Sequence, residues 1–304
     1  MLVLIGILIV LAAVVGGFLL EQGNLLVLIQ PSEVLIILGA AGGIVLVANS
    51  AASVRNLLKG ALSVFRRPPY TSAFYESVLK MMYELFSIGR RLGMAALEDH
   101  IEDPGASPLF EAYPEFNDPG AMMFLCDSLR MVTSGIAQPG ELARLMDLDA
   151  DVQRRESHAP VNALSMLADS LPGLGIVAAV LGVVVTMQVL VSAPEQIGQK
   201  VAAALVGTFL GILLCYGVVG PLASHLDAHN QGRAQLLQCL HSGLQAYARG
   251  SSPLLAAEFA RRSIPAGLRP SFDEMTATFR REVQLAPFPK PEGQDEAAAA
   301  EYTG

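Results

Sequence analysis

From Leu171 to Ala193 the chain carries no Asp, Glu, Lys, Arg or His. Three further stretches are comparably apolar: Leu2 to Leu20, Val34 to Val54 with a polar end at Asn49–Ser50, and Val201 to Leu222. About 20 predominantly apolar residues suffice to cross a bilayer as a helix. Four such stretches in 304 residues leave little room for a soluble fold. The remaining composition agrees, with 52% hydrophobic residues, 16% charged residues, no Trp and a mean hydropathy of +0.46. The first stretch lacks a basic flank and is followed closely by another span, so it reads as an uncleaved helix and not a signal peptide.

Lys and Arg set the expected orientation. The link from Glu21 to Glu33 has none, and the link from Pro194 to Lys200 has only Lys200. The segment from Ala51 to Ser170 holds eleven, with Arg55, Lys59, Arg66 and Arg67 close behind the second span, and the chain after Leu222 holds eight. The positive-inside rule therefore places both termini and the long middle segment in the cytoplasm. The expected fold class is an all-α membrane protein: four transmembrane helices in two hairpins with a large helical cytoplasmic insertion. Its divisions are a first hairpin at 1–54, an insertion at 55–170, a second hairpin at 171–222, a helical extension at 223–286 and a disordered tail at 287–304.

Within the insertion, "AFYESVLKMMYELFSIGRRLGMAALEDHI" places apolar residues at three- and four-residue steps, the helical period. "DPGAMMFLCDSLRMVTSG" begins with Asp118 as N-cap and Pro119 at the first helical position, and stops at Gly135. "QPGELARLMDLDADVQRRES" follows the same logic, and "SHLDAHNQGRAQLLQCLHSGLQAYARG" extends the fourth span as a helix.

Several function classes are excluded or disfavoured. A net charge of -8 gives no basic face for nucleic acid. Cys126, Cys215 and Cys239 form neither a disulfide framework nor a metal motif. There is no P-loop, GxSxG or HExxH. His225 and His229, four apart, have metal-compatible spacing but no further ligand beside them, so a structural role is the stronger reading. No cofactor is expected.

The spans read as free of buried carboxylate, lysine and histidine, with Glu21 and Glu33 at their outer ends and Asp169 at the inner end of the third. Proton-relay proteins place ionisable groups inside the membrane. An ion-conducting role would then require a partner to supply the carrier group. The spans offer small residues instead: Gly175, Ala178, Ala179 and Gly182 on the third, and the GxxxG of Gly207 to Gly211 on the fourth, a motif for close helix approach. Thr208 is one of the few hydroxyls there. Pro172 has two open readings: a tolerated proline near a helix start, or one that loosens the helix entrance and frees a carbonyl near Asp169. On a continuous helix Arg91 and Glu98 share a face but stand roughly 10 Å apart. The charges at Arg90, Arg91, Glu98 and Asp99 form either a solvated face or a docking surface.

Taken in order, "IQPSEVLIILGAA", "GMAALEDHIEDP", "LFEAYPEF", "DSLPGLGIVAAVLGVV", "VGTFLGILLCYGVVGPLA" and "RPSF" resemble the MotA family of flagellar motor stator subunits over nearly the whole chain. The resemblance implies a pentamer around a dimer of MotB-like subunits in the bacterial inner membrane. The partner supplies the ion-binding aspartate, and the cytoplasmic loop pushes on the rotor protein FliG. It further implies that Pro172 couples ion flow to motion, with Pro221 as a second proline at the exit of the fourth span. Thr208 is then the hydroxyl near the ion path, and Arg90 and Glu98 are the rotor-contact charges. Sodium-driven relatives carry threonine seven residues after the first proline. Ala179 stands there in this chain, which resembles the proton-driven branch. The related alternative is an ExbB/TolQ-like energiser, which usually has three spans.

Overall fold

The computed structural model describes residues 2–63, 65, 70–188 and 197–282, all helix or connecting turn. Arg66, Arg67, the residues from Val189 to Glu195, and the tail at 287–304 lie outside the described residues. Four helical stretches are long and apolar enough to span a membrane: Leu2–Leu20, Leu25–Ala48, Pro139–Met187 and Lys200–Ala248. The chain divides into two compact units, one of residues 1–67 with 154–231, the other of residues 68–153 with 232–304. That partition differs from a boundary read at Ser170, because the helices there continue while only their polarity changes.

The first unit contains α1 (Leu2–Leu20), the single turn α2 (Leu25–Leu28), α3 (Pro31–Ala48), α4 (Ala51–Ser63), the C-terminal part of α9 (Pro139–Gln188) and α10 (Ile197–Leu214). A π-helical segment, Cys215–Val219, and the start of α11 (Gly220–Ala248) complete it. α1 buries none of its residues, as suits a helix whose surroundings are lipid. α3 buries one stripe at four-residue spacing, Glu33, Ile37, Ala41 and Val45.

The second span differs from its sequence expectation. It begins at Pro31 and stops at Ala48 instead of running to Val54. Asn49 is extended, and its side-chain amide donates to the carbonyl of Val45 at 3.0 Å. Ser50 then accepts the amide of Ser53 at 3.2 Å, so α4 starts afresh. Two polar residues satisfy the loose ends of two helices, and the break costs little.

The second unit is built around α5 (Ser72–Arg91), whose N-cap Thr71 accepts the amide of Phe74. Tyr75, Val78, Leu79, Met81, Met82, Leu85, Phe86 and Ile88 are fully buried along it. Around α5 lie α6 (Met94–Glu102), the single turn α7 (Pro108–Glu111), α8 (Pro119–Thr133), α12 (Pro253–Ser263), α13 (Phe272–Glu282) and the last turns of α11. α8 has the expected ends: Asp118 accepts the amides of Gly120 and Ala121, and Gly135 adopts a positive φ of 63° just beyond the helix.

A polar pair sits in that core. Glu84 is 6% exposed and accepts a 2.7 Å hydrogen bond from the Tyr113 hydroxyl. Burial pushes its carboxyl above the usual range, opposed by that hydrogen bond and by Lys80. A raised carboxyl contributes stability that is present in full below its unfolded value and is lost as pH rises through the folded one. Glu84→Gln retains an acceptor for Tyr113 without the ionisation. It is expected to raise the melting temperature at pH 7 and leave it unchanged at pH 4, as read by thermal unfolding in detergent.

Candidate functional site: the α9–α10 seam

Glycines let α9 and α10 meet backbone to backbone. A methyl added at Gly211 would stand 2.5 Å from the Leu171 carbonyl oxygen and 2.9 Å from the Gly175 Cα. One added at Gly175 would stand 2.7 Å from the Gly207 carbonyl oxygen and 3.2 Å from the Thr208 Cα. Farther along, the same construction at Gly207 meets the Ala179 amide nitrogen and the Ala178 Cβ, both at 3.1 Å. The GxxxG and the small-residue stripe therefore face each other, as their close-approach chemistry suggests. Ala179 and Thr208 lie on this seam, and Pro172 stands one residue beyond the Leu171 carbonyl at its end.

Pro172 is not near a helix start. It lies deep within the 50-residue α9, which also contains Pro160. The sequence reading ended the helix where the apolar run ended, but helicity continues through the polar turns preceding it. In this interior position proline supplies no amide to the carbonyl of Ala168 and crowds it sterically. Ala168 is buried, whereas Asp169 beside it is exposed. Of the two readings of Pro172, the tolerated first-turn proline is thus removed.

Pro221 is exposed and lies outside the seam. It follows the π-helical segment, where the amide of Gly220 donates to the carbonyl of Cys215. Proline cannot donate to the carbonyl four residues back, and widening the turn is one way a helix passes such a residue.

The seam also contains a carboxyl. Glu33 was expected at an outer end, in spans without a buried carboxylate, yet it is only 5% exposed. A methyl at Gly207 would lie 2.6 Å from its Oε2, and one at Gly182 would lie 3.2 Å from its Oε1. Its place one turn before Ile37 on the buried stripe of α3 was the signal that a reading of outer ends passes over.

Sequence reasoning also missed the polar contacts below the seam. His158 and Asp227 approach to 3.3 Å, and the Asn230 side chain donates to the carbonyl of Ser157, three residues before Pro160. Both pairs join α9 to α11 and neither has a distinctive sequence spacing. His225 and His229 belong to no metal-holding group among the described residues.

In the second unit Arg90 and Glu98 are both exposed. The continuous helix that would carry Arg91 and Glu98 together does not exist. α5 ends at Arg91, Gly93 takes φ 96°, and α6 begins at Met94. Leu97 and Ile101 bury one face of α6, which leaves Glu98 on the other. Arg130 anchors the end of α6 through Glu102 at 2.9 Å and the Ile101 carbonyl at 3.2 Å. Neither Arg90 nor Glu98 makes an ion pair among the described residues. Burial pushes the Tyr247 phenol upward, and the charge of Arg90 opposes it.

These features define a multi-pass helical membrane protein with a glycine-packed transmembrane seam and a separate charged helical unit. Residues 4–93 match the family described as Motility protein A N-terminal, and residues 121–238 match the MotA/TolQ/ExbB proton channel family. Motility protein A of Escherichia coli (strain K12) is 39% identical over 276 residues, covering 90% of this chain and 94% of that protein. Chemotaxis protein LafT of Vibrio parahaemolyticus is 32% identical over 272 residues, covering 89% and 95%. The fold is similar to that in the flagellar MotAB stator complex from Bacillus subtilis, with a TM-score of 0.71 and 22% identity over 90% of this chain and 98% of that one. The C. jejuni MotAB structure gives a TM-score of 0.73 at 19% identity, over 87% and 95%. The chain belongs to the Motility protein A family. It is a flagellar motor stator subunit and not an enzyme, and the N-terminal match separates it from the ExbB/TolQ alternative.

Proposed function

We propose that the chain assembles with a MotB-like subunit into a proton-conducting stator that turns ion flow into torque on the rotor protein FliG. In this reading five copies surround the partner's helices in the bacterial inner membrane. Both termini and the insertion lie in the cytoplasm, and lipid covers the outer surface. The partner contributes the ion-binding aspartate, and Pro172, Ala179 and Thr208 border its path, with Pro221 at the inner exit.

The observation that carries the reading is the seam. It is tightly packed on its inner side, while α9 presents Ile176, Val180, Val184 and Met187 outward, each about half exposed. Such a stripe at helical spacing fits neighbouring transmembrane helices. Both similar structures are MotAB assemblies, which supports a MotB-like partner. Ala179 supports protons over sodium, because a methyl group offers no oxygen to a dehydrated cation.

The test is complementation of a strain lacking its own stator subunit, together with the cognate partner gene. Swimming is expected to be independent of sodium and abolished by a protonophore. Speed that tracks sodium and ignores the protonophore overturns the proton assignment, and no restored swimming overturns the stator reading.

Arg90 and Glu98 are proposed as the rotor-contact charges. Their exposure supports this, since reversing an exposed charge changes stability by only about 0.5 kcal/mol. Arg90→Glu and Glu98→Lys are each expected to weaken swimming strongly at normal membrane abundance, with partial rescue by an opposite reversal in FliG. Immunoblotting beside a motility assay separates this outcome from simple loss of protein.

A further inference from the structure

We propose that Glu33 is a second proton-binding carboxyl of the stator, held in a socket on the seam, that collects protons ahead of the partner's aspartate. This rests on the stator reading above.

The geometry is that of a side chain turned away from its easiest solution. Gln30 is the N-cap of α3 and Pro31 its first residue, so Glu33 occupies the third helical position. A glutamate there ordinarily reaches back to the N-cap amide or rests in the positive end of the helix dipole. Instead the carboxyl enters the space that Gly182, Gly207, Ala178 and Ala204 leave by being small. Its Oε2 is buried and has no hydrogen-bond partner among the described residues.

An ionised oxygen left without a partner in an apolar socket is costly, and a neutral acid is far less so. The socket therefore selects the protonated form. The ionised form is favoured at the helix start, where the amides of Ser32 and Glu33 lack intrahelical acceptors. One side chain thus has two positions, chosen by one proton. A proton from the outer side binds the carboxylate, and the neutral acid enters the socket. Passing that proton to the partner's carboxylate regenerates the ionised form, which withdraws.

The surroundings contain few competing charges. From Leu171 to Met187 α9 has no ionisable side chain, and α2 has none. On α10 the single charged group is Lys200, four residues before Ala204 and seven before Gly207, hence on the same face. Glu21 begins the link after α1.

The experiment compares low-load rotation speed of wild type, Glu33→Gln and Glu33→Asp, each expressed with the partner, at an outside pH of about 6 and of about 8. Glutamine keeps the size and cannot carry the proton. Glu33→Gln is expected to match wild type at the lower pH, where protons are plentiful. It should be roughly three-fold slower at the higher pH, where protons are scarce and a collector matters. Glu33→Asp should keep the wild-type pH profile. Equal speeds of Glu33→Gln and wild type at both pH values overturn the proposal. So does equal slowing at both, or loss of Glu33→Gln from the membrane, because each assigns Glu33 to packing. A wild-type chain that restores no rotation overturns the stator reading itself, whereas rotation without the pH effect overturns only the role of Glu33.

Discussion

Pro172→Ala is expected to abolish torque while the chain still reaches the membrane and co-purifies with its partner. An interior proline costs a helix about 3 kcal/mol or more, through the missing amide and the clash with the preceding turn. Alanine restores the bond to the Ala168 carbonyl and straightens α9, so the substituted protein should be no less stable. A proline that was merely tolerated would be missed by nothing, and swimming would continue. A coupling proline is different. Protonation of the partner's aspartate removes a charge from a low-dielectric surrounding, where charges act strongly. That local change can move a packed assembly between two arrangements only if some element yields. Pro172 lies at the end of the seam, where α9 lacks the hydrogen bond to the Ala168 carbonyl. Motility scored beside co-purification decides the matter: normal swimming removes the coupling role, and a lost complex reassigns Pro172 to assembly.

Gly211→Val should fail in the opposite way, with low membrane abundance and early unfolding. The added carbon meets the Leu171 carbonyl oxygen and the Gly175 Cα, which are backbone atoms that cannot rotate aside. Overpacking of this kind costs about 1–3 kcal/mol at a well-packed site, and a branched side chain at a backbone contact lies at the upper end. Gly140→Ala is the control, because nothing lies within 4 Å of a methyl there and alanine favours helix. Immunoblots of membranes and thermal unfolding in detergent should find Gly211→Val depleted and Gly140→Ala at wild-type levels. Together with Pro172→Ala, the pair separates a residue that holds the helices together from one that lets them move.

Particular residues explain how far the sequence could be read. The apolar runs and the sparse link charges announce the four crossings. Asp118, Pro119 and Gly135 announce both ends of α8, because a cap, a first-turn proline and a positive-φ glycine each have one favoured place. The union of "QPGELARLMDLDADVQRRES" with the third span was hidden, since polarity changes along α9 while backbone conformation does not. The stop at Ala48 was marked only by the polar pair Asn49–Ser50, because small residues carry the stretch on to Val54. Gly93 divides α5 from α6 with a backbone that glycine alone readily adopts, inside an unbroken helical period. At the seam, Pro172, Ala179 and Thr208 were legible by resemblance and their spatial neighbours by the spacing of small residues. Glu33 was not, because an acidic residue in a first turn has an ordinary explanation at the surface. Only the stripe it shares with Ile37, Ala41 and Val45 argues otherwise.

The π-helical turn at Cys215–Val219 amounts to one surplus residue in a regular spiral. Each residue of an α-helix advances the azimuth by about 100°, so the surplus offsets every side chain after it by that angle. The phase in which Leu210 and Leu214 face α9 is therefore not the phase that aims Ala223 and Leu226 inward. If the same residues closed into a regular α-turn, the rest of α11 would rotate by about 100°, bringing Leu222 and His225 toward the positions now held by Ala223 and Leu226, whereas removing one residue from the turn would leave that phase intact.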